Sequence, residues 1–148
     1  VDNLICSNNT VIFVSGNLVI RPPVKIDSLN KDACIFVVQG NVTIEEGENS
    51  SIGGVFAYDS IHAYILSDGK VIIQSETGKE EGSILDGIYI NGGYHARLGT
   101  SITRSLRLQE RLLFPFLAVD YHPKYGVLAK TLFGGYLTLQ KTEVGFKE

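Results

Sequence analysis

Apolar and polar residues alternate over short stretches that recur along the chain. In Ala33–Ile44 the apolar run Ala33-Cys34-Ile35-Phe36-Val37-Val38 leads into Gln39-Gly40-Asn41, and then Val42 and Ile44 flank Thr43. A period of two places Val42 and Ile44 on one face of a strand. The stretch therefore reads as two short strands bent about a Gly-Asn corner. Val11–Ile20 repeats the pattern, with the corner at Gly16-Asn17 and the apolar pair Leu18 and Ile20. Tyr64–Ile73 repeats it again, with Gly69-Lys70 and the pair Val71 and Ile73. Ser83–Ile90 is a looser copy, with Asp86-Gly87 and the pair Ile88 and Ile90.

The leading apolar residues of the four copies, Leu18, Val42, Val71 and Ile88, are separated by 24, 29 and 17 residues. One such unit cannot bury its apolar row alone, whereas stacked units align the rows into a continuous core. The expected fold is mainly β: a right-handed parallel β-helix, or β-solenoid, over residues 1–103. An antiparallel β-sandwich or barrel is the alternative, because Gly/Asn/Asp corners also mark hairpins. Arg21-Pro22-Pro23 is expected to end a strand, since proline cannot donate to a ladder. Ile52–Ile61 and Tyr94–Thr103 read as further strand-like runs.

The texture changes after Thr103. Arg104–Leu113 is rich in helix formers, Pro115 interrupts it, and Lys124–Phe133 reads as a short amphipathic helix ended by Gly134-Gly135. Tyr136–Lys141 alternates like a strand. Residues 104–148 are expected to form a partly helical C-terminal cap packed over or along the last coil, protecting an edge that would otherwise invite aggregation.

Composition keeps this picture globular, with 44% hydrophobic and 20% charged residues among 148. Sixteen glycines and four prolines favour tight turns over a proline-rich linker. No apolar run approaches the ~20 residues of a membrane-spanning helix. The chain begins at Val1 and has no methionine, which reads as a processed protein or a piece of a longer one. Net charge is −3, unevenly spread: residues 1–94 hold 5 basic and 12 acidic side chains, residues 95–148 hold 8 and 4. This asymmetry suits either a differently composed cap or head-to-tail stacking of copies. The basic end lacks a nucleic-acid-binding module or dense Lys/Arg patch, which argues against that partner.

The succession Gly40-Asn41-Val42-Thr43-Ile44, Ile52–Tyr58, Asp86–Leu98, Ile102-Thr103-Arg104-Ser105-Leu106 and Asp120-Tyr121-His122-Pro123-Lys124-Tyr125 resembles the C-terminal part of large bacterial surface proteins. These are pilus- or adhesin-like β-helical proteins of small-genome bacteria, in which a β-helix precedes an Arg-x-Leu segment and a Tyr-Asp-Pro-x-Tyr-like motif. Here His122 stands where that motif carries an acid. The resemblance implies a surface module and carries over no activity. The coils are more weakly similar to bactofilin-type polymer-forming β-solenoids, whose coils are shorter and more regular.

Candidate chemistry is sparse. Cys6 and Cys34 are a possible disulfide or two buried thiols, and two cysteines do not make a metal site. Asn8, Asn41 and Asn49 each begin an Asn-x-Ser/Thr sequon and are candidate glycosylation sites. Asn17 occupies the same corner as Asn41 without a sequon, which shifts Asn41 towards a turn role. His62, His95 and His122 form no metal-binding spacing, and no serine sits in a Gly-x-Ser-x-Gly elbow. Glu45–Ser51 reads as a solvated acidic turn rather than a calcium loop.

Asp59, Asp68 and Asp86 are candidates for the two carboxylates that a hydrolase needs on neighbouring coils, although Asp68 and Asp86 also suit corner geometry. Tyr58, Tyr64, Tyr89 and Tyr94 suggest a sugar-binding strip, or simply outward tyrosines of strands. Arg104, Arg107 and Arg111 fall at helical spacing on one face; pairing with acids of the same chain is the default reading, and pairing with a neighbouring copy makes them candidate assembly contacts. The expectation is a non-enzymatic structural or adhesive cell-surface module that needs no cofactor. Its partners would be copies of itself, surface proteins or glycans, in an extracellular filament or at the cell surface. The alternatives are a tailspike-like carbohydrate-binding or carbohydrate-processing β-helix and an intracellular self-polymerising scaffold.

Overall fold

A computed structural model describes residues 1–29, 31–47, 58–74, 87–103 and 115–132. The strands are β1 (Asp2–Cys6), β2 (Asn9–Val14), β3 (Leu18–Ile26), β4 (Ala33–Val38), β5 (Val42–Ile44) and β6 (Tyr58–Ile61). They continue with β7 (Tyr64–Ser67), β8 (Val71–Ile73), β9 (Gly87–Asn91), β10 (Gly93–Ala96), β11 (Thr100–Ile102) and β12 (Leu117–Asp120). One helix, α1 (Pro123–Leu132), follows them.

Every strand pairing among these elements is parallel. A four-stranded sheet runs β10-β7-β4-β2. An eight-stranded, strongly curled sheet runs β11-β8-β5-β3-β6-β9-β12, with β1 also on β3. The antiparallel alternative is thereby overturned: the Gly-Asn corners join strands of different ladders instead of closing hairpins.

The curl lies in β3. Leu18–Ile20 pairs with β5, whereas Val24 pairs with β6 and Arg21–Ile26 runs beside β1. The strand thus continues through Pro22-Pro23, contrary to the expectation that proline ends it. The reason is local: the prolines occupy the bend where β3 changes ladder partner and where its register against β1 shifts, so their missing N–H groups fall at a break in the ladders.

The corners explain their own composition. Between β4 and β5, Gly40 N donates to Gly16 O at 3.0 Å, and between β7 and β8, Gly69 N donates to Gly40 O at 3.2 Å. A Cβ on Gly40 would lie 2.8 Å from Gly16 O, and one on Gly69 would lie 2.7 Å from Gly40 C. Only glycine lets these backbones stack so closely.

Alternation then selects the core. Leu18, Val42 and Val71 align in one buried row, and Ile20, Ile44 and Ile73 in the next. The register continues these rows into Thr100 and Ile102 of β11. The fourth copy inferred from sequence is therefore displaced. Ile88 and Ile90 are fully buried, but they align with Asp59 and Ile61 of β6 and with Leu117 and Val119 of β12.

Helix α1 forms at the expected place, where Lys124–Leu132 has no β-branched run and Pro123 suits a first helical position. It packs against the outer face of the four-stranded sheet, with Tyr125 on Ala33 and Ile35 and contacts from Val11, Val37, Tyr64 and Leu128. The expected cap is, among the described residues, this single short helix lying along β4, a central strand. The expected helix at 104–113 and strand at 136–141 lie outside the described residues. No helix described is long and apolar enough to cross a membrane.

Candidate functional site

The outer face of the four-stranded sheet carries three rows of side chains. Register puts Val11, Ile35, Tyr64 and Gly93 side by side, and Phe13, Val37, Leu66 and His95 two residues further on. Helix α1 covers the first row through Tyr125. The second stays open: Phe13 is 71% exposed, His95 is exposed, and Val37 and Leu66 are half-buried.

Ser15, Gln39, Asp68 and Arg97 make the third row, where the ladder runs on into the corners. Gln39 N, Asp68 N and Arg97 N each donate to the preceding strand's carbonyl at 2.9 Å. The second and third rows line an open groove of about 490 Å³. Asp68 and Arg97 approach to 3.5 Å across its rim, both 64% exposed. An ion pair so open to water adds little stability, so both groups stay available to a ligand. Ligand sites commonly combine an apolar floor with a few polar groups of the kind found at this margin.

A second polar cluster lies on the outer face of the eight-stranded sheet. Tyr89 Oη donates to Asp120 Oδ2 at 3.0 Å, and Asn91 Nδ2 donates to Tyr89 Oη at 3.3 Å. His62 meets the Tyr89 ring edge-on at 6.4 Å. His62 Nδ1 and Asn91 Oδ1 are buried without a hydrogen-bond partner among the described residues. Burial pushes the His62 pKa below its ordinary value, and the Lys124 ammonium adds to the effect.

Lys124 holds α1 in place. Its Nζ donates to Leu29 O and Asp32 O, each at 2.7 Å, and lies 5.1 Å from the Tyr125 ring centre. Burial lowers the Lys124 pKa, with Asp32 acting in the opposite direction. Tyr125 is 1% exposed, and its ring stacks on Tyr64 at 6.1 Å. Among the described residues its hydroxyl meets no partner with full hydrogen-bond geometry. Burial pushes its pKa up to about 12, which the Cys34 backbone only partly offsets. Tyr64 is also pushed up, first by burial and then by Tyr121.

The residues singled out from the sequence are scattered. Cys6 and Cys34 form a disulfide with a Cα–Cα distance of 5.8 Å, tying the end of β1 to β4. Asn8 is exposed in a left-handed conformation with φ of 58°. Asn41 is half-buried, and its Oδ1 accepts from Lys70 N at 2.9 Å. Asn49, Asp86, Arg104, Arg107 and Arg111 lie outside the described residues.

Asp59 is buried in the core row of β6 and accepts from Gly47 N at 3.2 Å, whereas Asp68 sits on the groove rim. The two do not share a wall. The tyrosines form no common strip: Tyr64 lies under α1, Tyr94 packs on the main core and Tyr89 belongs to the other sheet. The Tyr58 side chain lies outside the described residues. The histidines are equally dispersed, with His122 Nδ1 accepting from Lys124 N at 3.3 Å just before α1. Among the described residues no three His, Cys, Asp or Glu side chains converge as a metal site needs.

Sequence reasoning missed the groove residues Phe13, Gln39, Leu66, His95 and Arg97. The signal available was the unbroken apolar run Ala33–Val38, which marks a strand with apolar side chains on both faces. Compared with known proteins, the chain matches no family model, no curated protein and no solved structure.

Proposed function

We propose that the chain is a right-handed parallel β-solenoid acting as a non-enzymatic structural or adhesive module at a cell surface. The observation that carries this reading is the order in which the chain visits its ladders. β4, β5 and β6 are followed by β7, β8 and β9, and each lies parallel beside its predecessor. β10 and β11 continue the course, as does β12. Parallel crossovers are right-handed in nearly all proteins, which supports the stated hand. Such stacking makes a rigid support whose outer face displays the open groove.

The Cys6–Cys34 disulfide supports an oxidising compartment and hence an extracellular location over an intracellular scaffold. The partners proposed are surface molecules held in the groove and other copies of the chain. The test is display of the chain on non-adherent cells, with retention measured under flow on matrix-coated and cell-coated glass. Display is expected to raise retention several-fold, and Phe13→Ser with Leu66→Ser to abolish the gain. Unchanged retention on every surface, with only single particles in electron micrographs at high concentration, would overturn the proposal.

A further inference from the structure

The geometry points to a neutral, extended β-1,4-linked glycan as the ligand of the open groove, lying across the four strands. The inference rests on the adhesive reading and names its ligand. Four features of the groove carry it.

First, the groove runs across β2, β4, β7 and β10, and the backbone groups between these strands are already paired in the ladder. A peptide strand lying crosswise there would find no backbone donors or acceptors, so recognition falls to side chains. Second, Phe13 and His95 place flat rings at the two ends of the row, with the aliphatic Val37 and Leu66 between them. A pyranose ring presents an apolar C–H face of matching kind. Third, Ser15, Gln39, Asp68 and Arg97 border only one side, with a hydroxyl, an amide, a carboxylate and a guanidinium in sequence. These donors and acceptors meet the equatorial hydroxyls at a pyranose edge while its face lies on the apolar floor. The margin carries one carboxylate and one guanidinium, Asp68 and Arg97 at 3.5 Å, so its net charge is zero and it favours neither a polyanion nor a polycation.

Fourth, neighbouring strands of a sheet lie ~4.8 Å apart, so the four strands form a ruler of about 14 Å. The rings of an extended β-1,4-linked chain advance by a closely similar step, so one ring falls on each strand.

The experiment is calorimetric titration of the intact chain with cello- and chito-oligosaccharides of two to six rings. Affinity is expected to rise with length up to four rings and then level off. Phe13→Ala, at a 71% exposed position, is expected to weaken tetramer binding at least tenfold without lowering the melting temperature. Arg97→Ala is expected to weaken it severalfold. No binding of either series at millimolar concentration, affinity independent of length, or unchanged binding by Phe13→Ala would overturn the inference. So would tighter binding of acidic oligomers of equal length. If displayed cells still adhere in the flow assay after the surface is digested with β-1,4-glucanase and chitinase, the adhesive reading survives and the glycan ligand falls.

Discussion

The Asn41 backbone N–H donates to Oδ1 of Asn17 at 2.9 Å across 24 residues. At the next corner, Oδ1 of Asn41 accepts from Lys70 N at 2.9 Å across 29 residues. The corner asparagines thus act as a polar ladder that sets how the corners stack. Asn17→Ala removes the acceptor for Asn41 N at an exposed site. It is expected to cost about 1 kcal/mol, the net worth of one such bond. Asn41→Ala leaves Lys70 N unserved and is expected to cost about 1–2 kcal/mol in urea denaturation.

The alternation of β5 is testable in the same way. Val42 is fully buried between Leu18 and Val71, while Thr43 between Val19 and Ile72 faces outward. Val42→Asp places a carboxylate in the core and is expected to cost several kcal/mol, or to prevent folding. Thr43→Asp is expected to cost less than about 1 kcal/mol. Equal losses in thermal melts would contradict the observed facing of β5.

Tyr125 carries a buried hydroxyl without a hydrogen-bond partner among the described residues. Tyr125→Phe removes that uncompensated group and keeps the ring on Ala33, Ile35 and Tyr64. It is expected to leave stability unchanged or raise it by about 1 kcal/mol. Tyr125→Ala opens a cavity under α1, and large-to-small changes at such sites cost about 3–5 kcal/mol. Hydrogen exchange of residues 123–132 distinguishes detachment of the helix from global destabilisation.

His62 makes stability depend on pH. Burial and Lys124 lower its pKa in the folded state, so the unfolded chain binds more protons just below the ordinary histidine value. Stability is therefore highest above about pH 6.5 and falls as the pH drops below it. The melting temperature is expected to fall between pH 7.5 and pH 5, and His62→Gln to reduce that fall. An identical pH profile in the variant would remove His62 as a cause.

Much of the core was legible because burial leaves a period of two. Leu18, Ile20, Val42, Ile44, Val71, Ile73, Ile88 and Ile90 are all buried, and the corners at Gly16-Asn17, Gly40-Asn41 and Gly69-Lys70 lie between strands as read. The groove was less legible. A row such as Phe13, Val37, Leu66 and His95 mixes residue types and is assembled from four distant segments, so no local pattern marks it.

What the sequence determined by itself is which side chains turn inward and where the chain bends. Alternation and turn chemistry are local properties, carried by a few neighbouring residues. Tertiary structure alone decided which strand each segment lies against. Ile88 and Ile90 have the same alternation as Val71 and Ile73 yet belong to the β6–β9–β12 ladder, because alternation specifies a face and not a neighbour. The same holds for the prolines of β3, which are tolerated because the ladder partner changes there, and for α1. Its amphipathic pattern announced a helix, but the apolar row Val11, Ile35 and Tyr64 exists only once β2, β4 and β7 are side by side.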